Sequence, residues 1–258
     1  MLQPKTLIIV GFLAATPIAV GAVATLTGLA SAPAAAIDVI GFDRKWLLSV
    51  DEARALIASG ALVIDARNAE LRAQAPIRNA QPLSPADLAG SDAEITEHLR
   101  RLGFNRDAAT VVIGDPAHDL GADAALVLAL RALGQNRVAL VDGGLPALLA
   151  AGLPTVQPPF GRGNAEIARG ESWSVAAAKL RPSDYRIVES GFSAELLTPD
   201  GRLKTADQIA AILAAKGIDR DSRIAATGAE SAWLATVLID QGYDARMIDG
   251  EYPLTAAN

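Results

Sequence analysis

At 258 residues, 51% of them hydrophobic and 20% charged, the chain can build one large domain or two smaller ones with a sizeable core. A formal charge of −6 leaves no basic footprint, which excludes nucleic acid as the main ligand. The absence of cysteine excludes disulfides, thiolate-held zinc or iron–sulfur centres and every thiol mechanism.

No charge lies between Lys5 and Asp38, and residues 7–30 alone are long enough to cross a bilayer. Lys5, the apolar run and Ala34-Ala35-Ala36 together have the layout of an export signal. Residues 1–37 are therefore expected to form a signal anchor, or else a signal peptide cleaved near Ala36. An anchor places the remaining chain on a bacterial inner membrane, facing the periplasm; cleavage gives a soluble periplasmic or secreted protein. Arg44 and Lys45 follow the run while only Lys5 precedes it, so the charge count alone does not favour export.

Beyond residue 43, helices and strands alternate. Ser49-Val50-Asp51-Glu52 is a capping box that opens a helix ending at Gly60, and residues 61–65 then read as a buried strand. Ser91-Asp92-Ala93-Glu94 opens a second helix, which ends at Gly103. Residues 110–113 form a strand, 114–121 a loop, 122–133 a helix and 137–141 a strand running into Asp142-Gly143-Gly144, a tight turn. This rhythm predicts an α/β fold with a parallel sheet covered by helices on both faces.

The pattern then repeats. Gly103-Phe104-Asn105-Arg106-Asp107 returns as Gly217-Ile218-Asp219-Arg220-Asp221, offset by 114 residues. A strand at 223–227, a helix at 230–241, a capping box at Thr205-Ala206-Asp207-Gln208 and Ile248-Asp249-Gly250 complete a second copy. The Pro- and Gly-rich stretch between the copies reads as a linker. The expected organisation is domain 1 at 43–156, a linker at 157–171 and a shortened domain 2 at 172–258, whose last strand is followed by no further helix.

These pieces resemble the tandem rhodanese family, the thiosulfate and 3-mercaptopyruvate sulfurtransferases. The resemblance rests on Val63-Ile64-Asp65-Ala66-Arg67, Leu130-Arg131-Ala132-Leu133-Gly134 and Val141-Asp142-Gly143-Gly144-Leu145 in the first copy. In the second it rests on Leu197-Thr198-Pro199-Asp200-Gly201-Arg202 and the turn at 217–221. It implies two rhodanese-like domains and, after the central strand of the second, a catalytic cysteine at a helix N-terminus, where amides and dipole stabilise a persulfide anion. That place holds Thr227-Gly228-Ala229-Glu230-Ser231, and Gly228 aligns with the cysteine. In the first copy it falls at Gly114 or Asp115. The family's His-Ile-Pro-Gly-Ala stretch has become Pro76-Ile77-Arg78-Asn79-Ala80, and the second copy's Asp-x-Arg has become Glu189-Ser190-Gly191.

The chain is therefore expected to be a membrane-anchored rhodanese-like protein without sulfurtransferase activity, acting as a binding or assembly module for a protein partner or membrane complex. The alternative is a sulfurtransferase homologue whose sulfur transfer is residual or assisted by a partner. The degenerate loops comprise Gly114, Asp115, His118, Thr227, Gly228, Glu230 and Ser231; no catalytic residue, metal or cofactor is assigned. Thr227 and Ser231 lack a histidine base near in sequence and a nucleophile-elbow motif. Asp115, His118, Asp119 and Asp123 match no established ligand spacing. The same aspartates, Asp115, Asp119 and Asp123, with Glu230 in the second copy, argue against a retained anion site, because a carboxylate beside a helix N-terminus occupies potential that a bound anion would need. His98 reads as a structural residue on its helix. Asp65 and Arg67 read as an ion pair tying a strand end to a neighbouring loop, and Trp46, Trp173 and Trp233 as core or interface packing.

Overall fold

The computed structural model describes residue 42 and residues 45–118, 121–159 and 161–249. The expected signal segment at 1–37 and the end of the second copy at 250–258 lie outside the described residues. No described helix is long and apolar enough to cross a membrane.

The first sheet contains β1 (Leu47–Leu48), β2 (Leu62–Asp65), β3 (Gln81–Pro82), β4 (Thr110–Ile113) and β5 (Val138–Val141), in the order β1-β5-β4-β2-β3. Every pairing is parallel. Its helices are α1 (Val50–Ala58), α2 (Ala69–Gln74), α3 (Asp92–Arg101), α4 (Ala122–Ala132) and α5 (Gly144–Ala150). The boxes expected at Ser49 and Ser91 form: each serine accepts the N–H of the glutamate three residues on, whose carboxylate returns to the serine N–H.

The second sheet contains β6 (Ser174–Ala176), β7 (Arg186–Glu189), β8 (Arg223–Thr227) and β9 (Asp244–Asp249), in the order β6-β9-β8-β7. It too is parallel throughout and repeats the first sheet's order without the β3 position. Its helices are α6 (Ser193–Leu196), α7 (Ala206–Ala215) and α8 (Ser231–Asp240), and Thr205 caps α7 as its sequence predicts.

Alternation along the central strands distributes the core. Val112 of β4 and Ile224 and Ala226 of β8 face one cluster, which also takes in Ile95 and Leu99 of α3, Leu130 of α4, Leu213 of α7 and Leu234 of α8. The two sheets thus share a single apolar core, with α4 against α8. Val111 and Ile113 point the other way, onto Leu56 and Ile57 of α1 and Leu148 of α5. The outer face of the second sheet departs from the expected helix-covered arrangement. Its cluster is Leu180, Ala225 and Ile248, flanked among the described residues by 3₁₀ turns at Ala177–Lys179 and Pro182–Asp184 and by no α-helix. The stretch between Leu180 and β7 is too short for one.

The expected linker is not a free tether. The N–H groups of Gly163, Ala165, Ala168 and Gly170 donate to carbonyls of Arg100, Phe104, Leu133 and Ala132 at 2.8–3.1 Å. Ala165 is fully buried. Once proline and glycine have set the turns, these backbone donors find partners at the C-terminal ends of α3 and α4, where helix carbonyls lack intrahelical partners.

Candidate functional site

In parallel α/β sheets, ligands gather beyond the carboxyl ends of the strands. Here those ends carry two loops of unequal length. After β4, residues 114–121 make a long excursion before α4. After β8, only Gly228-Ala229-Glu230 separate Thr227, the last strand residue, from Ser231, the first of α8. Thr227 is buried, Gly228 has φ of +92°, and Glu230 holds the N-cap position. Three residues reverse the chain, and the N–H of Ser231 is spent on the Gly228 carbonyl at 3.1 Å.

The first loop is closed from within. Asp115 is 8% exposed, and its Oδ1 accepts the N–H of Ala117 at 3.2 Å and faces His118 Nδ1 at 3.1 Å. His118 N also donates to the Asp115 carbonyl, while its ring stays exposed. Asp123, 3% exposed, folds back over the start of the loop. A Cβ placed on Gly114 would lie 1.8 Å from Asp123 Oδ2, so only glycine allows this approach. Asp123 Oδ1 accepts the N–H of Ala124 at 2.7 Å. The protein's own carboxylate thus stands at the α4 N-terminus, where a ligand anion would otherwise sit. Asp119 lies outside the described residues. Among the described residues no group of three or more His, Asp or Glu side chains could hold a metal ion.

The two loops meet at their bases, where a Cβ on Gly121 would lie 3.2 Å from the Ala229 carbonyl oxygen. His118 pairs within its own loop, with Asp115.

Two further carboxylates cross between the sheets, and sequence reasoning missed both roles. Asp240, at the end of α8, accepts the N–H groups of Trp46 and Leu47 at 3.0 and 3.1 Å. Asp142 Oδ1 accepts the N–H of Leu203 at 3.0 Å, so the expected tight turn, with positive φ at Gly143 and Gly144, also docks the second sheet's Thr198–Arg202 turn. Nothing local marks an aspartate for a partner 61 or 194 residues away. Burial holds the Asp142 carboxyl above its usual range, with Asp200 adding to it, against the opposing effects of the Leu203 N–H and Arg202. A carboxyl whose folded pKa is raised binds more protons folded than unfolded, so its contribution to stability is full below the ordinary carboxylate pKa and is lost as pH rises through the folded value. Asp142→Asn keeps the acceptor and removes the titration. The expected result is a variant at least as stable as wild type at pH 7 that loses this relative advantage toward pH 3. Urea midpoints across pH 3–7 test this; parallel curves would show that Asp142 is not the titrating group.

Asp65 and Arg67 form the ion pair their sequence predicts, both 3% exposed, with Arg67 Nε and Nη2 donating to the two carboxylate oxygens at 2.8 and 2.7 Å. Arg67 also reaches the carbonyls of Leu71 and Ala75 on and after α2. The strand registers place Glu189 of β7, opposite Thr227, where Asp65 of β2 stands opposite Ile113. The arginine two residues on is replaced there by Gly191.

A family model for the rhodanese-like domain matches residues 49–151. Those residues form a rhodanese-like domain. Solved structures carry the fold likeness further, although at identities that speak only to fold. SseA from Escherichia coli, described with the rhodanese fold and as a 3-mercaptopyruvate sulfotransferase, is 18% identical with a TM-score of 0.59, over 81% of this chain and 99% of its own. Tum1 from Saccharomyces cerevisiae is 14% identical with a TM-score of 0.61, over 81% and 93%. A 3-mercaptopyruvate sulfurtransferase from Leishmania major is 15% identical with a TM-score of 0.57, over 79% and 72%. These shares exceed what the rhodanese-like domain and everything before it could supply, so the likeness reaches the second sheet. A search among curated proteins gave no match.

Trp46 and Trp173, each just before the first strand of its sheet, meet edge to face with centroids 4.7 Å apart. Arg131 and Arg246 lie over their rings at 4.2 and 5.1 Å. These tryptophans join the rhodanese-like domain to the second sheet, and Trp233 is buried in the shared core. His98 is partly buried on α3, and its Nε2 has no partner among the described residues.

Proposed function

We propose that the chain is a tandem rhodanese-like protein that transfers no sulfur and works as a binding or assembly module, anchored to a membrane by residues 1–37 beside a protein partner or membrane complex. The observation that carries this reading is the junction of β8 and α8. Persulfide chemistry needs a thiolate held by converging amide donors, whereas this junction offers Gly228-Ala229-Glu230 and the chain contains no cysteine. The corresponding place in the first copy is occupied by the Asp123 carboxylate. The repetition of strand order across the two sheets supports descent from one duplicated domain. Tethering supplies high local concentration, which suits a scaffold better than a free enzyme.

The reading predicts no thiocyanate formation from thiosulfate and cyanide by the purified protein. It predicts the same for Gly228→Cys, because a side chain at that positive φ is strained and three residues cannot surround a persulfide. Turnover by the wild-type chain overturns the reading. Turnover by the variant alone shows that only the nucleophile was lost and that the anion cradle survives.

A further inference from the structure

The second sheet ends differently from the first. In the first sheet, β3 lies parallel on the outer edge of β2, with Ile64 beside Gln81 and Asp65 beside Pro82. The segment that supplies it is residues 75–91, between α2 and α3. Its counterpart between α6 and α7 is only residues 197–205, spent on a turn closed by an antiparallel bridge from Leu197 to Leu203. No strand among the described residues takes the position beside β7. Among the described residues β7 is bonded on one side only, to β8.

A groove of about 810 Å³ runs along that edge, lined by all four residues of β7 and by Phe192 and Ile218 among others. Val188 is buried and Ile187 half-buried, and both are β-branched residues suited to a neighbouring strand. The ends of β7 carry opposite charges. Arg186 and Glu189 are both exposed, and among the described residues neither has an ion pair or a side-chain hydrogen bond. The neighbouring charges are already matched: Lys216 pairs with Glu195 at 2.9 Å, and Arg223 with Asp244 at 3.3 Å. Among the described residues the edge therefore offers unpaired main-chain groups between the Arg186 cation and the Glu189 anion.

We propose that β7 receives an extended peptide of a partner protein, added in parallel as β3 is on β2, with an acidic residue beside Arg186 and a basic residue three positions later beside Glu189. Main-chain bonds provide the attachment, while the two charges set direction and register. A second copy of this chain fits less well. Antiparallel self-pairing about a two-fold axis sets side chains of the same face opposite one another, and Arg186 and Glu189 lie on opposite faces of the strand.

The test uses the full chain and two fluorescein-labelled peptides, Ser-Glu-Val-Thr-Lys-Ser and Ser-Lys-Val-Thr-Glu-Ser, read by fluorescence anisotropy. The proposal expects the first to bind about fivefold or more tightly than the second, the size of two cross-strand charge pairs made or reversed. The doubly substituted protein, Arg186→Glu with Glu189→Arg, is expected to invert the preference while keeping its circular dichroism. No binding, equal binding, or a preference that survives the double substitution overturns the proposal. So does concentration-dependent dimerisation, seen by sedimentation, that the double substitution abolishes, since the edge would then belong to a second copy.

Discussion

Arg67→Met is expected to lower stability by about 3–5 kcal/mol, measured as a shift of the urea midpoint at unchanged slope. The substitution keeps most of the side-chain volume but strands the Asp65 carboxylate, 3% exposed, at the end of a strand buried on both faces. It also removes the Arg67 donor from the Ala75 carbonyl and leaves the Leu71 carbonyl with the Ala75 N–H alone. Because α2 buries none of its own side chains, Arg67 rather than apolar contact fixes it to the sheet. Limited proteolysis should therefore find residues 68–80 before the rest of the chain unfolds. Asp65→Leu combined with Arg67→Met is expected to recover most of the loss, because the penalty comes from a buried charge without its partner. If the single variant lost under 1 kcal/mol, water would have to reach Asp65. Glu189→Gln at the corresponding place in the second sheet serves as the control. Glu189 is exposed and, among the described residues, unpaired, so its substitution should stay within about 0.5 kcal/mol of wild type.

That contrast also shows what was legible in the sequence. Capping boxes at Ser49, Ser91 and Thr205 and apolar strands at the centre of each sheet are local or periodic signals, and they appear as expected. The Asp65–Arg67 pair was legible because its partners are two residues apart at a strand end. The two-residue strands β1 and β3 were not, since too few residues alternate to reveal a period. Nor was α2, whose exposed residues carry no apolar stripe, or α5, hidden behind Gly143-Gly144 and interrupted by Pro146. The site was half legible. The missing cysteine and the short second loop stand in the sequence, whereas Asp123 folding over Gly114 depends on the return path of the chain. Asp240 and Asp142 look like ordinary surface aspartates until the fold brings distant amides to them. The linker misled because proline and glycine announce turns without saying what the intervening donors will bind.

The largest expected effect follows from α8. From Ala232 to Leu238 every residue of this helix is buried. Seven consecutive helical residues point in all directions around the axis, so no single sheet can cover them. The second sheet covers one side and α4 another, with Trp233, Leu234 and Val237 in the same cluster as Leu126 and Leu130. Residues 172–258 expressed alone are therefore expected not to fold: near-ultraviolet circular dichroism from Trp173 and Trp233 should vanish, with no cooperative thermal transition. The whole chain should melt in one step, with calorimetric and van't Hoff enthalpies equal. Trp233→Ala should lower the stability of both sheets together by about 3–5 kcal/mol, not that of the second alone. Two resolved transitions, or a folded isolated second half, would mean that each copy is an independent domain and that the shared core is only a contact between them. A single transition would instead mean that the second sheet, in a chain without cysteine, persists because the rhodanese-like domain needs the face of α8 to complete its own core. Selection on Trp233, Leu234 and Val237 would then be independent of any chemistry at Gly228.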